Sequence, residues 1–239
     1  MEMPLFQNSS EDIKLSVIDF IQQSFKEGFQ AMRVNFLPAC FLWTFGGIIL
    51  LAYYFTPQSR FIFDAIESTK SDWGIIYMFL STGFFGAILP GLFSIFLLKD
   101  KNSNLSSIFI LFLFWGIKGI EVEYFYLFQA FAFGDSVMLK TLFDQLIYVP
   151  IWGLTSVVLF YHFYGCKFNP KVFCHTLGKH WYRDRVIKVL LPNWSVWTPA
   201  IMLIYLLPQP LQLPLQNLTL AFWVMVLAYL SFHNPYKND

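Results

Sequence analysis

FLPACFLWTFGGIILLAYYF, residues 36–55, is twenty residues without a charge. At 1.5 Å per residue it reaches about 30 Å, the thickness of a bilayer's hydrocarbon core, so it reads as a transmembrane helix. Trp43, Tyr53 and Tyr54 are available to anchor it at the interfaces. The same pattern recurs along the chain. Spans are predicted over 36–55, 73–98, 105–123, 146–165 and 213–232, with 195–207 a short or re-entrant piece. Residues 10–33 instead place apolar side chains at helical spacing behind a Ser9–Asp12 capping box, which predicts an amphipathic helix within an N-terminal segment 1–35. The expected fold class is an all-α integral membrane protein. A single multispan domain over 36–233 would form a helical bundle of about five to six membrane segments, preceded by the N-terminal amphipathic helix and followed by a tail, 234–239.

Composition agrees. The chain is 13% charged, 56% hydrophobic and 21% aromatic, against roughly a quarter charged for soluble domains. A net charge of +1 argues against nucleic acid as a partner. The lipid bilayer is the expected partner, and self-association into a homo-oligomer stays open. Cys40 lies inside a span, and Cys166 and Cys174 flank the most basic loop, so three reduced thiols are expected. Cys166 and Cys174 with His175 and His180 match no usual zinc spacing, and neither a metal nor a cofactor is expected. A Gly-rich phosphate loop, a His-Glu-x-x-His helix and an acidic pair for metal–diphosphate are all missing, so the chain does not read as an enzyme.

Polar groups inside apolar runs are costly and need a partner, a structural purpose or water. Lys140, Asp144 and Gln145 stand at the mouth of the fourth span, followed by Pro150. They read as a polar path or, the favoured alternative, as helix-entry architecture in which Asp144 caps the helix that follows. Lys118, Glu121 and Glu123 interrupt the third run. Lys118 and Glu121 are three apart and share a helix face, so they can pair. These charges either line a polar path inside the membrane or mark the end of the span near Ile120, with 124–133 an aromatic helix lying flat. The cost of burying ions favours the second reading. In the second span Gly83, Ala87 and Gly91 recur every four residues, a small-residue ridge for close helix packing, and Pro90 must kink the helix or leave a carbonyl to be satisfied elsewhere.

Lys and Arg number three in 1–35, two in 99–104 and six in 166–194, against two in 56–72 and one in 134–141. That bias of eleven to three predicts a cytosolic N-terminus and four crossings up to Gly165, with the C-terminus preferred inside.

Lys140-x3-Asp144-Gln145-x4-Pro150, then Asn193-Trp194-x-Val196-Trp197 with Pro199, then Tyr229-Leu230-Ser231, together resemble the twenty-two-kilodalton peroxisomal membrane protein family. Gly83-Phe84-Phe85 is similar to the start of that family's glycine–proline motif. The likeness covers Lys140–Ser231. Within it the family's Trp-Pro is here Trp197-Thr-Pro199, and the positions of its usual Gln and Asn are taken by Ile201 and Ile204. The resemblance implies a four-span helical protein with channel-like passage of small solutes. It also implies a mitochondrial inner or peroxisomal membrane, or the cytoplasmic membrane in a bacterium. The competing expectation is a sealed helical bundle with a structural or interaction role.

Overall fold

The computed structural model describes residues 36–100 and 104–232. The N-terminal amphipathic segment and the tail lie outside the described residues. Every regular element among the described residues is helical. We number them α1 (Phe36–Phe55), α2 (Arg60–Trp73), α3 (Ile75–Phe96), α4 (Leu105–Phe133), α5 (Val137–Gly165), α6 (Pro170–Leu177), α7 (Tyr182–Tyr205) and α8 (Gln209–Phe232). Of these, α1, α3, α4, α5 and α7 are long and apolar enough to cross a membrane. The chain divides into two compact units, one built from Phe143–Trp197 and one from Pro38–Leu142 with the stretch from Thr198 onward.

Several boundaries differ from the sequence expectation. Residues 56–72 are mostly helical rather than a loop, because α2 is amphipathic. Gly74, at φ +51°, separates it from α3 in a backbone region that other residues avoid, so the second span starts at Ile75 and not at 73. The third run does not end near Ile120. α4 continues unbroken for 29 residues to Phe133 and stops at Gly134, φ +55°. Its charges are paired within the bundle, so they exert no pressure on the backbone to leave the helix. α5 begins at Val137, seven residues before Asp144, which therefore does not cap a helix. Ser136 stands at that entry instead, its Oγ accepting from the Leu139 N–H at 3.4 Å. Residues 195–205 are not a separate short piece but the second half of a 24-residue helix, α7, that ends at Tyr205. The last helix begins at Gln209, since Pro210 in its first turn needs no intrahelical N–H.

In the larger unit α3 and α4 approach closely. A Cβ on Gly83 would stand 2.7 Å from the Phe112 ring, and one on Gly91 2.5 Å from Ile108. α4 reciprocates with Gly116 against Phe79 and Gly119 against Met78 and Thr82. Ala87 lies buried in the same ridge. A π-helical turn at Phe84–Ile88 precedes Pro90 and absorbs the register change that the proline imposes. α8 packs against α2, α3 and α4, with Leu211, Leu213, Leu215 and Leu220 buried. α1 joins this unit through Phe41, stacked on Phe222 at 5.1 Å, and through the Tyr54 hydroxyl, which donates to the Leu206 carbonyl at 2.6 Å.

Candidate functional site

The site grows from a single buried carboxylate. Glu123 faces α2 and α8 from the wall of α4. Its Oε1 lies 2.8 Å from Lys70 Nζ and accepts from Gln209 Nε2 at 2.7 Å. Lys70 also donates to the Pro210 carbonyl at 2.8 Å. The two charged side chains are 8% and 3% exposed, which makes this a buried ion pair and not a surface one. Burial pushes the Lys70 ammonium below its ordinary value, while the hydrogen bond and charge of Glu123, and the charge of Glu67, work against that shift.

Above the pair opens a cleft of about 610 Å³. Asp64, Glu67, Ser68 and Ser71 line it from one face of α2, at helical spacings of three and four, and Lys70, Gly74, Met78, Gln209 and Pro210 complete the lining. Glu123 sits directly behind Lys70 and Gln209, two of these lining residues.

From the cleft a polar seam runs along α8. Gln209, Gln212 and Gln216 are spaced i, i+3 and i+7 and share a face, with Asn217 alongside. Gln212 and Asn217 are essentially inaccessible and Gln216 is buried. Gln212 donates through Nε2 to the Leu207 carbonyl at 3.0 Å. Asn217 Oδ1 accepts from the Thr82 hydroxyl at 2.9 Å, and its Nδ2 donates to Ser81 Oγ at 3.1 Å. The backbone advances about 12 Å from Gln209 to Asn217. Along this path three buried oxygens have no donor: Glu123 Oε2, Gln212 Oε1 and Gln216 Oε1. Gln129 adds a fourth in the same unit, its Oε1 unpartnered while its Nε2 donates to the Lys140 carbonyl and the Tyr205 hydroxyl. A buried acceptor without a donor is expensive, and such groups call for water or a ligand.

The residues singled out by sequence do not all meet here. Glu123 belongs to the seam. Lys118 and Glu121 form their own ion pair at 2.5 Å. Lys140 Nζ lies 5.9 Å from the centre of the Tyr205 ring. Asp144 and Gln145 belong to the other unit, buried within α5, where Gln145 Nε2 donates to Asp144 Oδ1 at 2.9 Å. Their surroundings are architectural. Asp144–Gly153 is a π-helical stretch, in which the Gln145 carbonyl would take the N–H of residue 150. Pro150 has none to give, and the indole N–H of Trp194 donates to that carbonyl at 2.8 Å instead. The Pro150 carbonyl in turn accepts from Thr155 at 2.6 Å and Tyr182 at 2.9 Å. The Asp144-Gln145-Pro150 and Asn193-Trp194 motifs are thus joined by a packing bond. Asn193 Oδ1 is buried without a donor, Trp197 and Pro199 are half-buried on α7, and Tyr229 is exposed on α8. The side chains of Leu230 and Ser231 lie outside the described residues.

Sequence reasoning missed Lys70, Gln209, Gln212, Gln216 and Asn217. The three glutamines were visible as a 3.6-residue stripe in an otherwise apolar run. Lys70 carried no such signal, because one lysine in a mixed segment looks solvent-facing until the fold buries it. Among the described residues no group of three or more His, Cys, Asp or Glu is placed to hold a metal ion. Searches against protein-family models, curated proteins and solved structures find no match to this chain.

Proposed function

We propose that this is a multipass membrane protein that admits small polar solutes through the α2–α8 cleft and passes them along the seam of α8. The observation that carries the reading is the row of donorless buried oxygens behind an open cleft that Asp64, Glu67, Ser68 and Ser71 help to line. Intramembrane polar groups that packing does not consume are the ordinary mark of a solute path. The position suits the role. Glu123 lies eighteen residues along α4 from Leu105, about 27 Å of rise against a hydrocarbon core of about 30 Å. With Leu105 at one boundary, the Lys70–Glu123 pair reaches the other, and the cleft opens at the membrane surface. With the cytosolic N-terminus that the bias of Lys and Arg favours, α2 follows the first span and that surface would face away from the cytosol. The likeness of Lys140–Ser231 to the twenty-two-kilodalton peroxisomal membrane protein family points toward the same class of function. The solute-facing residues are then those of α8 rather than Asp144 and Gln145.

A sealed bundle is the rival, and one observation favours it: Thr82, Asn217 and Ser81 satisfy one another and close the seam at its inner end. Flux decides between the two. Liposomes holding the purified chain should release small polar solutes faster than empty ones. Gln212→Leu with Gln216→Leu should abolish the difference while the protein stays folded. Release indistinguishable from empty liposomes would leave the sealed bundle.

A further inference from the structure

The polarity of the seam selects among solutes. Resting on the passage reading above, we infer that the cleft and seam bind a small monovalent cation, of the protonated-amine or alkali-metal class, through oxygen acceptors. All the buried side-chain atoms left without a hydrogen-bond partner among the described residues are oxygens; no nitrogen donor is in that state. One seam amide is held in its orientation, because Gln212 spends its nitrogen on the Leu207 carbonyl and leaves the oxygen facing away from it. What fills the seam must therefore supply donors or positive charge, and an anion would meet only lone pairs.

Charge at the entrance agrees. The single ammonium in the lining, Lys70, is paired with Glu123 Oε1 and also donates to the Pro210 carbonyl, so its charge is locally offset while those of Asp64 and Glu67 add to the rim. Asp64 and Glu67 face the cleft on α2, and Ser68 and Ser71 between and beside them offer hydroxyl oxygens. The second oxygen of Glu123 remains for the bound species behind that rim. An approaching cation passes from an acidic rim to a buried carboxylate oxygen and then to amide oxygens of Gln212 and Gln216, a graded loss of water against a gain of fixed acceptors. A neutral donor such as urea can hydrogen-bond the same oxygens but gains no Coulomb attraction from the two rim carboxylates.

The test uses the full chain in liposomes, with methylammonium, potassium, urea and acetate each offered as the permeating species. Methylammonium or potassium should exceed both urea and acetate by about tenfold or more, in the range that a charged entrance confers. The arm that wins identifies the amine or the alkali metal. Asp64→Asn with Glu67→Gln removes the two rim charges at nearly constant shape and, in protein whose unfolding transition is retained, should cut cation flux several-fold and urea flux much less. Glu123→Gln should cut it further. Urea or acetate passing as fast as the cations would overturn the inference and leave the passage reading standing. No flux of any of the four species, from protein shown to be folded by its unfolding transition, would overturn both.

Discussion

Replacing Lys70 with methionine strands a carboxylate. In the native fold Lys70 and Glu123 lie 2.8 Å apart with side chains 8% and 3% exposed, so both charges are largely removed from bulk water. Losing the ammonium leaves Glu123 with Gln209 as its remaining donor and takes the Lys70 hydrogen bond from the Pro210 carbonyl. Breaking a buried pair by removing one partner costs about 3–5 kcal/mol, whereas removing both costs little because the desolvation penalty disappears with the charges. Lys70→Met should therefore destabilise by about 3–5 kcal/mol, and Lys70→Met with Glu123→Gln should recover most of it, a coupling of about 2–4 kcal/mol. For a chain of this size that corresponds to a fall in Tm of about 6–20 °C for the single variant. Tryptophan fluorescence follows the transition in detergent, and the chain has eight tryptophans to report it. A single-variant cost below about 1 kcal/mol is what an exposed pair shows. That result, or plain additivity in the double variant, would refute the claim that the pair is desolvated within the bundle.

Other perturbations follow from the same geometry. Because burial holds Lys70 below its ordinary value of 10.5, the unfolded chain binds more protons between the lowered value and 10.5. Wild-type stability should therefore rise relative to Lys70→Met as pH climbs through that alkaline window, read from unfolding midpoints at successive pH values. Gly119→Ala forces a methyl to 2.5 Å from the Met78 carbonyl and onto the Thr82 side chain, and should cost about 1–3 kcal/mol. Gly47→Ala, with open space around it, serves as the matched control for helix propensity in the same unfolding assay. Trp194→Phe removes the indole donor to the Gln145 carbonyl and should cost about 1 kcal/mol without altering solute flux. Pro150→Ala restores a backbone N–H at that position, so the cost of Trp194→Phe should shrink in the Pro150→Ala background. Cys174, exposed in the basic segment after α5, should react with an impermeant thiol reagent from the cytosolic face alone; labelling from the opposite face in intact cells would reverse the orientation.

Helical class and the approximate positions of four of the five helices long enough to cross a membrane were legible from uncharged runs of bilayer length. The fifth, α7, was split between the basic segment and the piece 195–207, and the predicted span 213–232 lies in α8, which is not among the five. The ends of the spans were not legible. Glu123 looked like a signal to leave the membrane, since a charge with no visible partner is costly there, and its partners lie 53 and 86 residues away in sequence at Lys70 and Gln209. Asp144 looked like a cap because the apolar run begins after it, but Ser136 takes the helix start and α5 carries the aspartate inside. The α3 ridge was readable from spacing, and Gly83 and Gly91 do meet α4, while the complementary ridge at Gly116 and Gly119 was hidden by the bulky residues around it. The α8 seam shows a different difficulty. Uncharged amides hardly alter a hydropathy profile, yet inside a bundle their unpaired oxygens are as informative as a charge.

Reactivity at position 216 tests the seam most directly. With Cys40, Cys166 and Cys174 replaced by serine, a lone cysteine at Gln216 should be modified by a small cationic methanethiosulfonate reagent in the folded protein, although Gln216 is buried from bulk water by side chains. Methylammonium should slow that modification. A cysteine at 216 that stays unmodified in folded protein, while one at Asp64 on the cleft rim reacts at once, would show that the seam is dry and the bundle sealed.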